Sequence, residues 1–477
     1  MERLTKIIAT LGPACASQER IDEMVGAGMD VARLNFSHGD YQSHRRLAEW
    51  VREAGRNRGR AVALLQDIRG PKIRVGTFPG GQAVLDAGQG LTIRPGSGEG
   101  ARGEAFIEYP HLMEDVQVGE EVALADGLIR LEITGKERDS LEATVMQGGV
   151  LGDHKGVAFP QTDLRVPVVT DKDRRDLEFG KELEVDLVAA SFVRSGADIR
   201  HVKELAGETP VIAKIELAAA YERLDDILTE AHGAMVARGD LGVELPLERL
   251  PLVQKDILDR TNAAGGISIV ATEMLESMTT SPRPSRAEVT DVANAVMAGT
   301  DAVMLSGETA AGRYPVRTVE VMDIICREIE SGPQHIARPD VAFLTNEQPF
   351  PSATAKAAVE AAVDLGLQTI VAFTETGTTA RLLSKYRPTA RIVAFTPVPA
   401  TYRHMALYWG VKPEMFERLD STDDMIAAAE KQLLTEGVCR HGEGVVMVAG
   451  IPPNQRASTN LMKLHVIGEG GSGVPRR

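Results

Sequence analysis

Short apolar runs recur through the first two thirds of the chain, and each run ends in polar residues or glycine. Eight such runs begin, in order, at Lys6, Val31, Ala61, Val185, Val211, Ala234, Ile267 and Ala302. Most neighbouring runs are separated by stretches with helical periodicity. Eight strand-helix units over about 250 residues are typical of a (β/α)8 TIM barrel, whose chemistry lies at the C-terminal strand ends. The pattern therefore predicts an α/β fold of that kind.

One long interval breaks this regular spacing. The third run ends near Asp67 and the fourth begins near Val185. The residues between them are rich in glycine and in short alternating runs, which is typical of an antiparallel β domain. We expect barrel residues 1–72 and 166–335 to flank a small inserted β-barrel, residues 73–165, that covers the active face as a lid.

The sequence changes character again after Pro333, where a linker punctuated by prolines begins. Beyond this linker, helical stretches alternate with apolar runs such as "TIVAFTE" and "ARIVAFTP". This alternation predicts a smaller C-terminal α/β domain over residues 350–477.

The net charge limits the possible partners of the protein, and the cysteines indicate its compartment. A formal net charge of -15 over 477 residues argues against nucleic acid or an anionic membrane surface as a partner. No apolar stretch approaches the roughly 18 residues that cross a bilayer. Cys15, Cys326 and Cys439 lie far apart, which favours a reducing compartment. We therefore expect a cytoplasmic protein, in which any site for an anionic substrate needs its own local cations.

The second apolar run, "ARLNFSHG", carries polar residues at alternate positions. Arg33, Asn35 and Ser37 therefore share one face of the predicted strand. An arginine beside such residues suits a phosphate, or a cation held by oxygen atoms. A polar strand end exposed to water would show the same pattern.

The fifth and sixth runs end in carboxylates. Lys214 and Glu216 share a face at the end of "AKIE", and Asp240 follows in "VARGDLG". Carboxylates from adjacent strand ends suit Mg2+, with substrate oxygens and water completing the octahedron. A plain salt bridge between lysine and glutamate is the simpler alternative.

Other polar residues lie at strand ends or in the inserted segment. Thr272 ends the seventh run, where a hydroxyl can bond a carboxylate or orient a water, although such a threonine is usually structural. Ser306 and Glu308 follow the eighth run and are expected to support the site. Asp126 and Lys155 lie in the inserted segment and are solvated loop charges unless the lid closes on a ligand.

Taken together, these stretches resemble the pyruvate kinase family over essentially the whole chain. "ARLNFSHG", "MVARGDLGVELP", "ATEMLESM", "PRPSRAEVTDVANAV" and "MLSGETAAGRYP" match the signatures of that family in its order. The resemblance implies barrel, lid and C-terminal domains, and the transfer of a phosphoryl group from phosphoenolpyruvate to ADP, giving pyruvate and ATP in the last step of glycolysis. It also implies a homotetramer.

The resemblance implies roles for the residues of the barrel. Arg33 would contact the phosphoryl group, and Lys214 would neutralise charge on that group and on the enolate oxygen. Glu216 and Asp240 would hold Mg2+ or Mn2+. The residues that would receive the substrate carboxylate are Gly239, Asp240 and Thr272, and those that would lie near the nucleotide are Asn35, His38, Arg74 and Lys155.

One departure from the family concerns the turn after the third run. Family members commonly have "DTKGPEIR" where this chain has "DIRGPKIR", so Ile68, Arg69 and Lys72 are different. The resemblance implies a potassium pocket made of Asn35, Ser37, Asp67 and the backbone carbonyl of Ile68. A lysine ammonium carries the same single charge. We therefore expect Lys72 to fill this pocket and the enzyme not to require K+. Arg69 has no assigned role.

One further residue bears on the local charge of the site, and one loop bears on regulation. Glu273 stands where the family usually has glutamine, and we expect activity to survive this change. The loop "TETGTTA" resembles an effector-phosphate loop, in which hydroxyls and backbone N–H groups hold a phosphate. The candidate contacts for a sugar phosphate or nucleotide are Thr374, Thr376, Gly377, Thr378, Thr379 and Arg456. A vestigial loop without an effector is the alternative.

Two rival functions follow from the same residues. One is an aldolase acting on pyruvate, which also uses magnesium and an enolate, but the lid with Lys155 and the pair of Arg33 and Lys214 argue against it. The other is a non-catalytic effector-binding protein on the same scaffold. Loss of Lys214, Glu216 or Asp240 would favour that alternative, and all three are present.

Overall fold

The structure is a computed structural model that describes residues 3–332, 337, 339, 349–451 and 459–468. Its β-strands are β1 Lys6–Leu11, β2 Val31–Asn35, β3 Ala63–Asp67, β4 Gln82–Leu85, β5 Gly90–Pro95, β6 Glu104–Ile107, β7 Glu121–Leu124, β8 Ile129–Lys136, β9 Leu141–Gln147, β10 Gly149–Gly152, β11 Val157–Ala158, β12 Leu187–Ala190, β13 Val211–Ile215, β14 Gly233–Ala237, β15 Ile267–Ala271, β16 Ala302–Leu305, β17 Thr369–Phe373, β18 Arg391–Thr396, β19 Val411–Met415, β20 Gly444–Gly450 and β21 Thr459–Val466.

Helices follow most of the strands. They are α1 Gln18–Ala27, α2 Tyr41–Arg58, α3 Leu112–Asp115, α4 Asp171–Glu182, α5 Gly196–Ala206, α6 Ala218–Glu222, α7 Leu224–Glu230, α8 Arg238–Glu244, α9 Leu250–Ala263, α10 Arg286–Met297, α11 Gly307–Ala310, α12 Pro315–Glu330, α13 Pro349–Asp364, α14 Thr378–Lys385, α15 Pro399–His404 and α16 Thr422–Thr435. Local capping fixes several helix starts. In α10, for example, Ser285 and Glu288 form a reciprocal capping box.

Eight parallel strands close into a barrel in the order β1-β16-β15-β14-β13-β12-β3-β2. This confirms the fold class expected from the eight apolar runs. Most residues of these strands are buried on both faces, because side chains fill the barrel interior and helices cover its exterior. The C-terminal ends of all eight strands consequently meet at one end of the barrel.

The inserted residues between β3 and β12 form a separate β domain. Its strands pair as a six-stranded sheet and a two-stranded ribbon, β4 with β10, so the expected small β-barrel is a largely antiparallel sheet with a ribbon. A side chain at Gly148 would collide with the carbonyl of Leu85. This close approach lets the chain bend after β9, leave the main sheet and pair with β4.

The C-terminal domain has a five-stranded sheet in the order β19-β18-β17-β20-β21, with β21 antiparallel to β20. It packs against the N-terminal end of the barrel. The buried Lys385 at the end of α14 pairs with Asp301, the residue before β16, and also donates to Asn262. The C-terminal domain therefore lies at the opposite end of the barrel from the polar strand ends.

The structure also bears on the membrane-spanning segments, the cysteines and the linker considered in the sequence. Within the described ranges, no helix is long and apolar enough to cross a membrane. Cys15, Cys326 and Cys439 are free thiols and are buried. The linker beyond Pro333 falls almost entirely outside the described residues, as does most of the C-terminal tail.

Candidate active site

The buried carboxylate of Asp67, at the end of β3, joins two cations from neighbouring strands. Its Oδ2 accepts a hydrogen bond from Arg33 Nε at 2.7 Å, and its Oδ1 accepts one from Lys214 Nζ at 3.2 Å. Burial opposes the ionisation of Asp67, but the charges of Arg33 and Lys214 outweigh it and hold its pKa below the usual value. The carboxylate thus fixes both cations at the active end of the barrel.

Lys214 is held from three sides. Besides Asp67, its Nζ lies 2.8 Å from Glu216 Oε1 and 2.7 Å from Ser191 Oγ. Burial alone would lower the pKa of Lys214, yet the two carboxylates outweigh burial and raise it, so the ammonium stays charged. A charged lysine in a site with little water is suited to stabilising negative charge that develops on a substrate.

Glu216 and Asp240 supply carboxylates from two adjacent strand ends. Glu216 is 1% exposed, and its Oε2 accepts a hydrogen bond from the Phe192 backbone N–H at 2.7 Å. Burial raises the pKa of Glu216, and the neighbouring charge of Asp240 adds to this effect. A divalent cation between these oxygens would relieve the repulsion, so the two residues fit such an ion.

Glu216 and Asp240 alone would not fill the coordination sphere of a divalent cation. Within the described part of the chain, no group of three or more histidine, cysteine, aspartate or glutamate side chains could hold a metal ion. Two carboxylates leave most of an octahedron to other oxygen atoms. The arrangement therefore suits a cation that is shared with a bound substrate and water.

Thr272 and Gly239 meet beside these carboxylates. The Gly239 backbone N–H donates to Thr272 Oγ1 at 2.9 Å, and that hydroxyl donates to the Ala271 carbonyl at 2.6 Å. Thr272 has φ 69° and the exposed Glu273 has φ 54°, both in the left-handed region. A β-branched residue rarely adopts this conformation. The turn after β15 is therefore strained where the sequence predicts a substrate contact.

The residues expected near the nucleotide lie in two places. Asn35 is in register with Asp67 at the end of β2, and the exposed His38 follows on the next turn. Arg74 and Lys155 lie together at the base of the inserted domain, where Arg74 Nη1 donates to the His154 carbonyl at 2.7 Å. Ser37 lies beyond β2, so it does not share the strand face with Asn35.

The structure corrects the predicted position of Lys72. Its ammonium lies 3.1 Å from Asp240 Oδ1 and 3.8 Å from Asp126 Oδ1, not in the pocket of Asn35, Ser37 and Asp67. The physical reason is that both oxygens of Asp67 already accept hydrogen bonds from cations of the barrel. Lys72 instead lines a cavity of about 570 Å³ between the barrel and the inserted domain, together with Asp126, Glu216 and Asp240.

Sequence reasoning missed two hydroxyls of this site. Ser191 Oγ donates to the Ile68 carbonyl at 2.8 Å and accepts from Lys214, and Thr10 Oγ1 accepts from Arg33 Nη1 at 2.9 Å. Both residues lie at the C-terminal ends of barrel strands. This position at a strand end is the sequence feature that could have identified them as site residues, although single serines and threonines form no motif of their own.

The candidate effector loop lies in the C-terminal domain, between β17 and α14. The Thr374 hydroxyl accepts a hydrogen bond from the Gly377 N–H, and the Thr379 hydroxyl pairs with Thr459 inside the protein. Thr376 is exposed and Thr378 is half-buried, and their hydroxyls lie 3.0 Å apart. Among the described candidate contacts, Thr376 and Thr378 are therefore the hydroxyl-bearing residues that reach the surface. Arg456 lies outside the described residues.

Comparison with known proteins places the chain in a family. The family model for the barrel domain of pyruvate kinase matches residues 2–319, and the model for its alpha/beta domain matches residues 352–465. The chain belongs to the pyruvate kinase family. It is therefore a phosphotransferase of the pyruvate kinase class.

Individual relatives agree over nearly the full length. The pyruvate kinase of Geobacillus stearothermophilus is 42% identical over 100% of this chain and 83% of its own length. That of Mycobacterium intracellulare is 42% identical over 98% of this chain and 99% of its own. A crystal structure of a pyruvate kinase from Cryptosporidium parvum superposes with a TM-score of 0.89 at 36% identity, covering 98% of this chain and 96% of that one. Family membership implies phosphoenolpyruvate and ADP as substrates and a dependence on divalent metal ions.

Proposed function

We propose that the active end of the barrel carries out the pyruvate kinase reaction, with Arg33 and Lys214 holding the phosphoryl group as it moves from phosphoenolpyruvate to ADP. The supporting observation is the buried cluster in which Asp67 fixes both cations. Phosphoryl transfer needs mainly positioning and positive charge around the equatorial oxygens. These two side chains supply positive charge from fixed positions at the strand ends.

Lys214 has a second role in the same reaction. Loss of the phosphoryl group leaves negative charge on the enolate oxygen of the product. Lys214 is charged and lies beside Ser191 and Glu216, so it can neutralise that oxygen as the charge develops. The expected consequence is a lower barrier for both the forward and the reverse reaction.

Magnesium is the proposed divalent ion, with Mn2+ as a substitute, and Glu216 and Asp240 are its protein ligands. Their oxygens are hard donors, which Mg2+ prefers. When bound, the ion supplies positive charge to the phosphoryl oxygens. Closure of the inserted domain would exclude water and protect the phosphoryl donor from hydrolysis.

The substrate carboxylate is assigned to the backbone N–H groups of Gly239 and Asp240 and to the Thr272 hydroxyl. These groups lie beside the proposed metal ligands, so one substrate can reach both. Thr272 would also orient the water that protonates the enolate carbon. The nucleotide is assigned to Asn35 and His38 on the barrel side, and to the lid-base residues Arg74 and Lys155.

Potassium independence is proposed on a different basis from that expected from the sequence. Asp67 is neutralised by Arg33 and Lys214, and Ser191 donates to the Ile68 carbonyl, so donors of this chain already engage both groups. Lys72 adds a fixed positive charge to the same cleft through Asp240. Less unpaired negative charge therefore remains in this pocket for a monovalent cation to balance.

Two further proposals concern assembly and regulation. We assign a homotetramer, which would cover exposed apolar side chains such as Leu252, Ile324 and Phe350. A sugar phosphate or a nucleotide would bind the Thr376–Thr378 loop. Multi-angle light scattering tests the first proposal, because a tetramer has four times the 51.3 kDa mass of one chain.

The decisive experiment for the reaction is a coupled assay for pyruvate formed from phosphoenolpyruvate. We expect product only when ADP and a divalent cation are both present. Pyruvate released from a hydroxylated keto acid, with no turnover of phosphoenolpyruvate, would favour the aldolase alternative. Effector binding without any turnover would favour a non-catalytic protein.

A further inference from the structure

The side chain of Arg238 holds the strained turn that carries Thr272. Arg238 is the first residue of α8, and its guanidinium group reaches across to the end of β15. Its Nη2 donates to the Thr272 carbonyl at 2.5 Å, and its Nε lies 3.2 Å from both the Ala271 and the Thr272 carbonyl oxygens. The side chain is 11% exposed, so these hydrogen bonds are shielded from water.

The remaining donors of Arg238 are also used. Its Nη1 contacts both carboxylate oxygens of Asp291, at 2.8 and 2.6 Å, and its Nη2 lies 3.0 Å from the sulfur atom of Met274. Guanidinium has donors on all three nitrogens in one rigid plane. Asp291 lies in α10, so this plane joins α10, the end of β15 and the start of α8.

The turn needs such support because of its backbone conformation. Thr272 and Glu273 have φ 69° and 54°, and neither is a glycine. Strained conformations at functional sites persist only where surrounding contacts determine them. The Thr272 carbonyl is oriented by Arg238, whereas the Thr272 hydroxyl meets the N–H of Gly239, the residue next to Arg238.

We propose that Arg238 is a positioning residue that holds the Thr272 hydroxyl and the Gly239 amide side by side, so that both donors can exchange their present acceptors for the carboxylate of phosphoenolpyruvate. The inference rests on the proposed roles of Thr272 and Gly239. The Thr272 hydroxyl and the Gly239 amide both depend on Arg238, because its backbone leads into Gly239 and its side chain holds the Thr272 carbonyl. Asp291 orients the guanidinium plane and neutralises its charge.

The test compares Arg238→Lys and Arg238→Gln with the unchanged chain. We expect KM for phosphoenolpyruvate to rise at least about tenfold in Arg238→Gln, with a smaller rise in Arg238→Lys, because lysine cannot reproduce the planar fork. KM for ADP should change less than about twofold, since the assigned ADP contacts do not touch Arg238. Added guanidinium ion should lower the raised KM in Arg238→Gln, as it replaces the missing group.

Arg52→Lys is the matched control. Arg52 is a half-buried arginine that also donates to backbone carbonyls, those of Val62 and Glu184, and to a carboxylate, that of Asp186. It lies near the other end of the barrel strands, so its variant should lower the melting temperature and leave KM for phosphoenolpyruvate unchanged.

The outcomes separate this inference from the proposed function. If the unchanged chain forms no pyruvate, the proposed function fails. If it is active and the Arg238 variants raise both KM values equally, or lose only thermal stability as the Arg52 variant does, Arg238 is structural and the inference is overturned. A melting curve for each variant verifies that a folded protein is being assayed.

Discussion

The ammonium group of Lys72 lies 3.1 Å from the Asp240 carboxylate, and so joins the exit of β3 to the start of α8. The same group lies 3.8 Å from Asp126 of the inserted domain. Lys72 therefore connects a proposed metal ligand with the lid. A positive charge at this point would lie near the proposed phosphate sites of both substrates, whichever carboxylate it pairs with.

The first prediction concerns potassium. Steady-state activity should stay within about twofold when K+ is replaced by a large organic cation, because Arg33 and Lys214 already neutralise Asp67 and Lys72 adds a further positive charge to the same cleft. Lys72→Glu should create a requirement for K+, measured as activation by added KCl at constant ionic strength. Lys181→Glu makes the same change in charge on an exposed helix and should respond as the unchanged chain does. A many-fold loss of activity in the unchanged chain without K+ would contradict the prediction.

The second prediction concerns Lys214. Lys214→Met should lower kcat by about 10² to 10³, the usual effect of removing one group that stabilises developing charge. It should also destabilise the fold by roughly 3–5 kcal/mol, since Asp67 and Glu216 would lose a buried partner. Lys6→Met is the control, because Lys6 is buried at the other end of the barrel and donates to the Val411 carbonyl. Normal kcat in folded Lys214→Met would rule out the assigned role.

The third prediction concerns the pH dependence of stability. Burial raises the pKa of Glu244 to about 7 from its usual 4.5. Between these values the folded chain retains a proton that the unfolded chain has lost, so this residue's contribution to stability falls as the pH rises through that window. Glu244→Gln should therefore raise the melting temperature relative to the unchanged chain at pH 8, and this gain should vanish below about pH 4.5.

The exposed Glu248 provides the control for that experiment. Glu248→Gln removes one negative charge nearby without removing a buried carboxylate. Its melting temperature should follow that of the unchanged chain at both pH values. A gain in Glu244→Gln that is the same at pH 4 and pH 8 would show that the carboxyl group does not titrate as expected.

The fourth prediction concerns the effector loop. Replacing both Thr376 and Thr378 by alanine should abolish activation or inhibition by a panel of sugar phosphates and nucleoside monophosphates, because these hydroxyls face the surface. Basal activity should be retained, since the loop lies far from the active strand ends. Thr435→Ala, on α16, is the control. If no compound in the panel changes the activity of the unchanged chain, the loop is vestigial.

The barrel was predictable because its signal is local and repeated. Each parallel strand is buried on both faces, so it appears in the sequence as a short apolar run that ends where the strand meets solvent. The runs that begin at Lys6 and Ile267 end at Leu11 and Ala271, close to where the apolar pattern stops. The sequence alone therefore assigns Lys214, Glu216 and Thr272 to one end of the barrel.

The partners of these residues were not predictable in the same way. Arg238 precedes the Gly239–Asp240 pair in a motif that the sequence identifies, yet its carboxylate partner Asp291 lies 53 residues further along the chain. No local spacing connects the two residues. The left-handed conformation of Thr272 was equally hidden, since threonine disfavours it and only the surrounding hydrogen bonds hold it there.

The sequence by itself therefore determined the barrel, the inserted and C-terminal domains, and the residue types at the active strand ends, because periodic burial and strand polarity are local properties. Only the tertiary structure decided which charges pair. Asp67 pairs with Arg33 and Lys214, whereas Lys72 pairs with Asp240. Ion pairing depends on distance in space and on which oxygen atoms already accept hydrogen bonds, and neither is visible in the sequence.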